Sequence, residues 1–278
     1  KLATASWDNT AKVWCIAADR EIATMRHEDI IRKVTFSPDG KKLATASWDN
    51  TAKVWDVDTG AKIFVMPHKH IVNSVVFSPD GTYLATSDNN IARIWDITGK
   101  EIGQVEHKNW VLNVVFSPNG KHLATASIDR TAKVWDLATG TEIAKMQHEH
   151  QVNAVSFSPD GKRLATASYD NTASLWVAET GQEIARMAHS GGVLAVIFSP
   201  DGKRLATASD DHTATVWKTV TLQEIAKMCH EGQVNSIAFS PDGACLATAS
   251  NDRTARIWDV ATGQEIRKIE HDNWVFAV

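Results

Sequence analysis

The stretch "LATASWDNTAKVW" runs from Leu43 to Trp55 and also occurs, letter for letter, from Leu2 to Trp14. Each copy holds a Ser, an Asp, a Thr and a Trp, and a His lies nearby, so the ingredients of a Ser-His-Asp hydrolase triad are present. Repetition decides what they mean. Equivalent Trp residues stand at Trp14, Trp55, Trp95, Trp135, Trp176, Trp217 and Trp258, with spacings of 41, 40, 40, 41, 41 and 41 residues. A His recurs at His27, His68, His107, His148, His189, His230 and His271. The segment "FSPDG" or "FSPNG" begins at Phe36, Phe77, Phe116, Phe157, Phe198 and Phe239. A period held this faithfully means one supersecondary unit used seven times.

Each unit reads as four short strands. After His27, "IRKVTF" alternates and is rich in β-branched residues, as a strand is. "SPDGK" stops it, because Pro fits the turn and Gly supplies positive φ. "KLATAS" is the second strand and "DNT" the next turn, where the Asp side chain can accept from the turn's own N–H groups. "AKVWDV", "DTG" and "KIFVM" supply the third strand, a turn and the fourth strand. No segment keeps a 3.6-residue apolar period, so helix is expected to be nearly absent. Four-stranded units at this period are the pattern of propeller blades.

Composition narrows the function classes. The 278 residues are 43% hydrophobic and 22% charged with a net charge of −4, as in a soluble globular protein that makes no case for binding nucleic acid. No apolar run approaches the roughly 20 residues that cross a bilayer, and no membrane association is expected. No secretory leader is visible, and the chain does not begin with Met, so a fragment or processed chain is expected. Cys15, Cys229 and Cys245 are odd in number and lack metal-ligand spacing, which fits a reducing compartment, taken here as the cytoplasm.

The residues "H…V.FSPDG..LATAS.D.T..VWD" resemble the WD-repeat family of β-propellers over essentially the whole chain, with units as similar to one another as in prokaryotic multidomain members. Four of the seven Trp are followed by Asp (Asp56, Asp96, Asp136, Asp259), whereas Cys15, Val177 and Lys218 follow the others. The resemblance implies an all-β, seven-bladed propeller with four antiparallel strands per blade in one domain, 1–278. Blades are expected at about 27–67, 68–106, 107–147, 148–188, 189–229 and 230–270. A composite blade joins three strands of 1–26 to a C-terminal strand, 271–278, and closes the ring.

The resemblance also implies a hydrogen-bonded tetrad in each blade, formed by the His, the second-strand Ser or Thr, the turn Asp and the Trp. Placed on this sequence, the tetrads are His27, Ser47, Asp49, Trp55; His107, Ser127, Asp129, Trp135; His148, Ser168, Asp170, Trp176; His189, Ser209, Asp211, Trp217; and His230, Ser250, Asp252, Trp258. The composite blade supplies His271, Ser6, Asp8 and Trp14. A buried indole N–H needs an acceptor, and such a network rigidifies when every member is satisfied. A catalytic triad is needed once, in a cleft, not once per blade. One His per blade, about 41 residues apart, is expected around a ring and not on a metal ion. No enzyme activity, metal or cofactor is expected.

Two places depart from the pattern. Between Leu84 and Trp95, "LATSDNNIARIW" is one residue short. Counting back from Trp95 puts Ser87 in the Ser place, Asn89 in the Asp place and Ile91 in the Thr place; Asp88 serves instead if the turn shifts. This tetrad is in doubt and the turn is expected to be the loosest. Asp19 and Leu222 stand where Gly60, Gly140, Gly181 and Gly263 end other turns. Gly tolerates positive φ and Leu does not, so another geometry is expected at Leu222.

Function is sought in what varies between units. Three positions per blade are expected on one face: the residue before the turn Asp, and those three and five beyond the His. They include Trp7, Trp48, Ile30, Arg32, Ile71, Trp110, Leu112, Ile128, Tyr169, Trp274 and Phe276, whereas the His230 unit offers Gln233, Asn235 and Asn251. All four Trp outside the tetrads fall in this set. Clustered aromatics with an Arg have the composition of an interface hot spot. The expected function is a non-catalytic, monomeric scaffold presenting this face to a protein or peptide partner, within a larger signalling or regulatory protein. The alternatives are an anionic peptide or small-molecule reader at the central channel, with Arg32 meeting the anion, and a purely architectural array.

Overall fold

A computed structural model describes residues 1–5, 7–15, 20–270 and 274–276. Ser6, Asp19, His271 and the remainder of the expected closing strand, except Trp274, Val275 and Phe276, lie outside the described residues. In the Trp55 blade, Ile31–Phe36, Lys42–Ser47, Thr51–Asp56 and Lys62–Pro67 pair antiparallel in chain order. Five further four-stranded sheets begin at Val72, Val111, Val152, Val193 and Val234. Leu2–Ala5, Thr10–Cys15 and Arg20–Arg26 form a three-stranded sheet, and this strand numbering is consistent with a composite blade. The fold is all-β with seven blades, and no helix occurs among the described residues.

Burial follows the order of strands. The second strand "KLATAS" is buried from Leu43 to Ser47, because both of its faces are covered and its alanines let neighbouring blades approach closely. The fourth strand, Lys62–Pro67, is mostly exposed or half-buried. The "SPDG" turn between the first two strands builds its own scaffold. Ser37 Oγ donates to Asp39 Oδ1 at 2.5 Å and accepts the Lys42 N–H at 2.9 Å, while Gly40 takes φ +68°. Within each unit neighbouring blades bury apolar faces against one another: Ala44, Ala46, Ala52, Val54 and Met66 meet Val72, Val75, Phe77, Leu84 and Trp95.

Contacts divide the chain into two compact units, Lys1–Ser127 with Trp135–Thr141, and Ile128–Val134 with Glu142–Val278. Within both, first strands share one irregularity. Register shifts between Ile31 and Lys33, leaving Arg32 as a bulged residue, and the same shift skips Asn73, Leu112, Asn153, Leu194 and Asn235. A bulge re-aims the extra side chain. It falls at the position five beyond the His, one of the three expected on the variable face.

The Leu222 turn keeps the geometry of its glycine counterparts, contrary to expectation. Leu222 takes φ +56° and its N–H reaches the Lys218 carbonyl at 2.8 Å, as Gly60 reaches Asp56 at 2.9 Å. Leu222 packs against the apolar cluster of Val193, Phe198 and Leu205, and that burial offsets the roughly 1 kcal/mol of left-handed strain.

Candidate functional site

The repeated polar residues form a brace in five blades, those of His27, His107, His148, His189 and His230, but its hub is not the expected serine. In the Trp55 blade the indole Nε1–H donates to Thr45 Oγ1 at 2.8 Å, and Thr45 Oγ1 lies 2.7 Å from His27 Nε2. His27 Nδ1 lies 2.7 Å from Asp49 Oδ2, and Asp49 Oδ1 accepts the Thr51 hydroxyl at 2.5 Å and the Thr51 N–H at 2.9 Å. One proton arrangement satisfies every member: neutral His27 donates from Nδ1 to the carboxylate and accepts the Thr45 proton at Nε2. Thr125, Thr166, Thr207 and Thr248 occupy the same hub toward Trp135, Trp176, Trp217 and Trp258 at 2.8–2.9 Å. In the chain-start sheet Trp14 donates to Thr4 at 3.3 Å, and Asp8 accepts from Thr10.

The placement of Ser47, Ser127, Ser168, Ser209 and Ser250 in the tetrads is therefore corrected. These residues close each second strand and serve the turn. Ser47 Oγ donates to the Asp29 carbonyl at 3.0 Å and accepts the Asp49 N–H at 3.1 Å. Thr45, two residues earlier on the same face of the strand, is the residue within reach of the indole.

Burial shapes the charge states. It pushes His27, His148, His189 and His230 below the ordinary imidazole value, while the paired carboxylates work the other way. Burial also opposes ionisation of Asp49, but the Thr51 hydrogen bond and neighbouring His27 outweigh it and bring the carboxyl down to about 2. With the imidazole, carboxylate and hydroxyl all engaged by one another, the constellation serves each blade's own rigidity.

The Trp95 blade lacks this brace. Thr86 still accepts from Trp95 at 2.8 Å, but neither ring nitrogen of buried His68 has a well-formed hydrogen bond among the described residues. The register gives the reason. Thr86 pairs with Arg93 as Thr45 pairs with Lys53, so the missing residue belongs to the turn. Ser87 then falls in the place of Ala46, where its hydroxyl is buried without a partner among the described residues. Asp88, in the place of Ser47, lies 3.2 Å from both His68 Nδ1 and Arg93 Nε. The expected assignments of Ser87 and Asn89 are corrected. The turn, Asn89 and Asn90 alone, is the tightest second-to-third-strand turn among the described blades rather than the loosest.

The residues expected on the variable face divide by exposure. Trp7, Trp110, Tyr169 and Trp274 are 51%, 43%, 41% and 51% exposed. Arg32 is exposed, whereas Ile30, Trp48, Ile71, Leu112, Ile128 and Phe276 are half-buried. Three pairs meet. The Arg32 guanidinium lies 5.8 Å from the Trp48 ring centroid, Trp274 meets Phe276 edge-on at 6.3 Å, and Ile71 and Trp110 line one pocket. The Trp48 indole N–H is itself buried without an acceptor among the described residues.

In two blades of the second unit, polar residues at equivalent positions satisfy one another. Gln233 donates to Asn235 at 2.8 Å, and Asn235 donates to Asn251 at 2.7 Å and to the Val275 carbonyl at 2.9 Å. Gln151 donates to Asn153 at 2.9 Å, which donates to the Val193 carbonyl at 2.8 Å. Among the described residues no His, Cys, Asp or Glu cluster is placed to hold a metal ion, and no helix is long and apolar enough to cross a membrane.

A profile described as WD domain, G-beta repeat matches residues 20–56, 60–96, 99–136, 140–177, 181–218 and 222–259. Each stretch runs from the outer strand of one blade to the residue after the Trp of the next. Among curated proteins, no relative matches the chain.

Proposed function

Because the chain belongs to the WD40 repeat family, whose propellers generally serve as protein-interaction scaffolds, we propose that it is a non-catalytic scaffold that binds a protein or peptide through the variable face. The carrying observation is the Arg32–Trp48 stack together with exposed Trp110 in the first unit. None of these side chains belongs to a brace, and aromatic and Arg side chains dominate binding energy at interfaces. In this reading the propeller is the interaction part of a larger cytoplasmic signalling or regulatory protein and acts as a monomer without a cofactor.

The test is affinity. Partners recovered on the intact protein are identified by mass spectrometry and titrated against Trp48→Ala and Trp110→Ala. A loss on the order of 2 kcal/mol with an unchanged melting temperature is expected. A partner indifferent to both substitutions overturns the reading. The channel alternative has one supporting observation: Arg32 and Lys33 are consecutive and exposed, with no ion-pair partner among the described residues. Binding lost in Arg32→Gln but retained in Trp48→Ala would favour it.

A further inference from the structure

The short turn of the Trp95 blade leaves a gap on the variable face. In four other blades the backbone N–H of the residue ahead of the turn Asp is pinned across this space. Trp48 N–H donates to Ile30, Tyr169 to Gln151, Asp210 to Gly192 and Asn251 to Gln233, at 2.8–3.0 Å. The Trp95 blade has no residue for the task. Among the described residues no turn N–H reaches the Ile71 carbonyl, and the Asn89 carbonyl accepts from Val111 N–H instead, at 2.6 Å.

A pocket of about 280 Å³ lies there, lined by Asn50, Lys69, His70, Ile71, Asn89 and Trp110, all within the first unit. Ile71 and Trp110 give it an apolar side, and Asn50 and Asn89 contribute amides. Lys69 and His70 are exposed at its rim with no ion-pair partner among the described residues. The residue after the recurring His is acidic in four other units, Glu28, Glu149, Glu231 and Asp272, and a lysine in one, Lys108, so Lys69 carries the charge opposite to that of four of its counterparts.

We propose that this pocket receives a peptide segment carrying an Asp or Glu side chain beside an apolar one. The apolar side chain packs between Ile71 and Trp110, and the carboxylate meets Lys69 and an asparagine amide. The inference rests on the variable face being the partner-binding face and assigns a charge preference to one place on it. The missing turn residue makes the room, and the uncompensated lysine selects the occupant.

The probes are acetyl-Gly-Glu-Leu-Gly-amide and its Gln counterpart, titrated into the isotope-labelled full chain while indole N–H signals are followed. The Glu peptide is expected to shift the Trp110 signal and to bind about fivefold tighter than the Gln peptide. Lys69→Glu is expected to abolish that preference, and an Ala inserted between Asp88 and Asn89 to abolish the shift. Equal binding of both peptides, or a preference that survives Lys69→Glu, overturns the proposal. Should the insertion fail to fold, Lys69→Glu decides alone. A recovered partner that needs Trp48 but ignores Lys69→Glu removes the pocket and leaves the face reading intact. A partner indifferent to Trp48, Trp110 and Lys69 removes both.

Discussion

The Trp55 and Trp95 blades are neighbours in sequence, share Leu-Ala-Thr in their second strands, and differ by one residue in the turn that follows. In the first, Thr45 joins the indole to His27, and Asp49 ends the relay at 2.7 Å. In the second, the threonine and tryptophan keep their bond while the histidine loses its well-formed partners. Both blades retain four strands and a buried Trp. Strand pairing and apolar packing therefore carry the blade, and the polar brace adds to a blade already formed. The teaching is one of place: a single deletion in a turn disconnects a buried histidine and opens a pocket, while the register of the pairing strands stays as it was.

The largest expected contrast is at the hub. Thr45→Val should cost about 2–3 kcal/mol, because both the His27 and Trp55 nitrogens lose a buried partner, whereas Thr86→Val should cost about 1 kcal/mol because only Trp95 does. Equilibrium denaturation of the two variants measures this, and equal costs would break the comparison. Next comes the relay's end. Asp49→Asn should cost about 2 kcal/mol, since the carboxylate serves His27, Thr51 and the Glu28 N–H, and Asp88→Asn about half as much.

Acid should weaken the intact braces. His27, His148, His189 and His230 sit below the ordinary imidazole value when folded, so the unfolded chain takes up protons first as pH falls through about 6.5. Their neutral-state contribution is present above that pH and declines below it. Asp49, at about 2 when folded, contributes above the ordinary carboxylate value near 4 and loses its contribution only as pH falls toward its folded value. Denaturation midpoints should hold steady from pH 8 to 7 and drop by pH 5; a flat profile across that span would contradict the neutral tautomer. The smallest effect is expected on the face. Trp48→Phe removes a buried indole N–H that has no acceptor among the described residues and should be neutral or stabilising by up to about 1 kcal/mol.

Architecture was the most legible part. The 40–41-residue period, the "FSPDG" turns and the recurring Trp announce seven blades, because turn chemistry and alternation are local properties. Thr45 was as regular in the sequence as Ser47, and choosing between them needed the pairing of Lys42–Ser47 with Thr51–Asp56, which fixes which hydroxyl lies near the indole. At Ser87, counting back from Trp95 placed the gap on the wrong side of the serine, since a count is blind to whether a deletion falls in a strand or a turn. Placing the gap in the turn, where the deleted residue breaks no ladder bond, selects the alternative, Asp88. Leu222 misled in the opposite direction, because its apolar contacts lie in a strand many residues away. The bulge that re-aims Arg32 and Leu112 leaves no composition signal.

The bonded indole protons have a further consequence. Trp55, Trp95, Trp135, Trp176 and Trp258 are buried and Trp217 is half-buried, and each donates to a threonine of its own blade. Such a proton trades with deuterium only when its blade opens. Six sensors of one chemistry are thus spread through one chain, and their exchange rates would rank the blades by how often each comes apart.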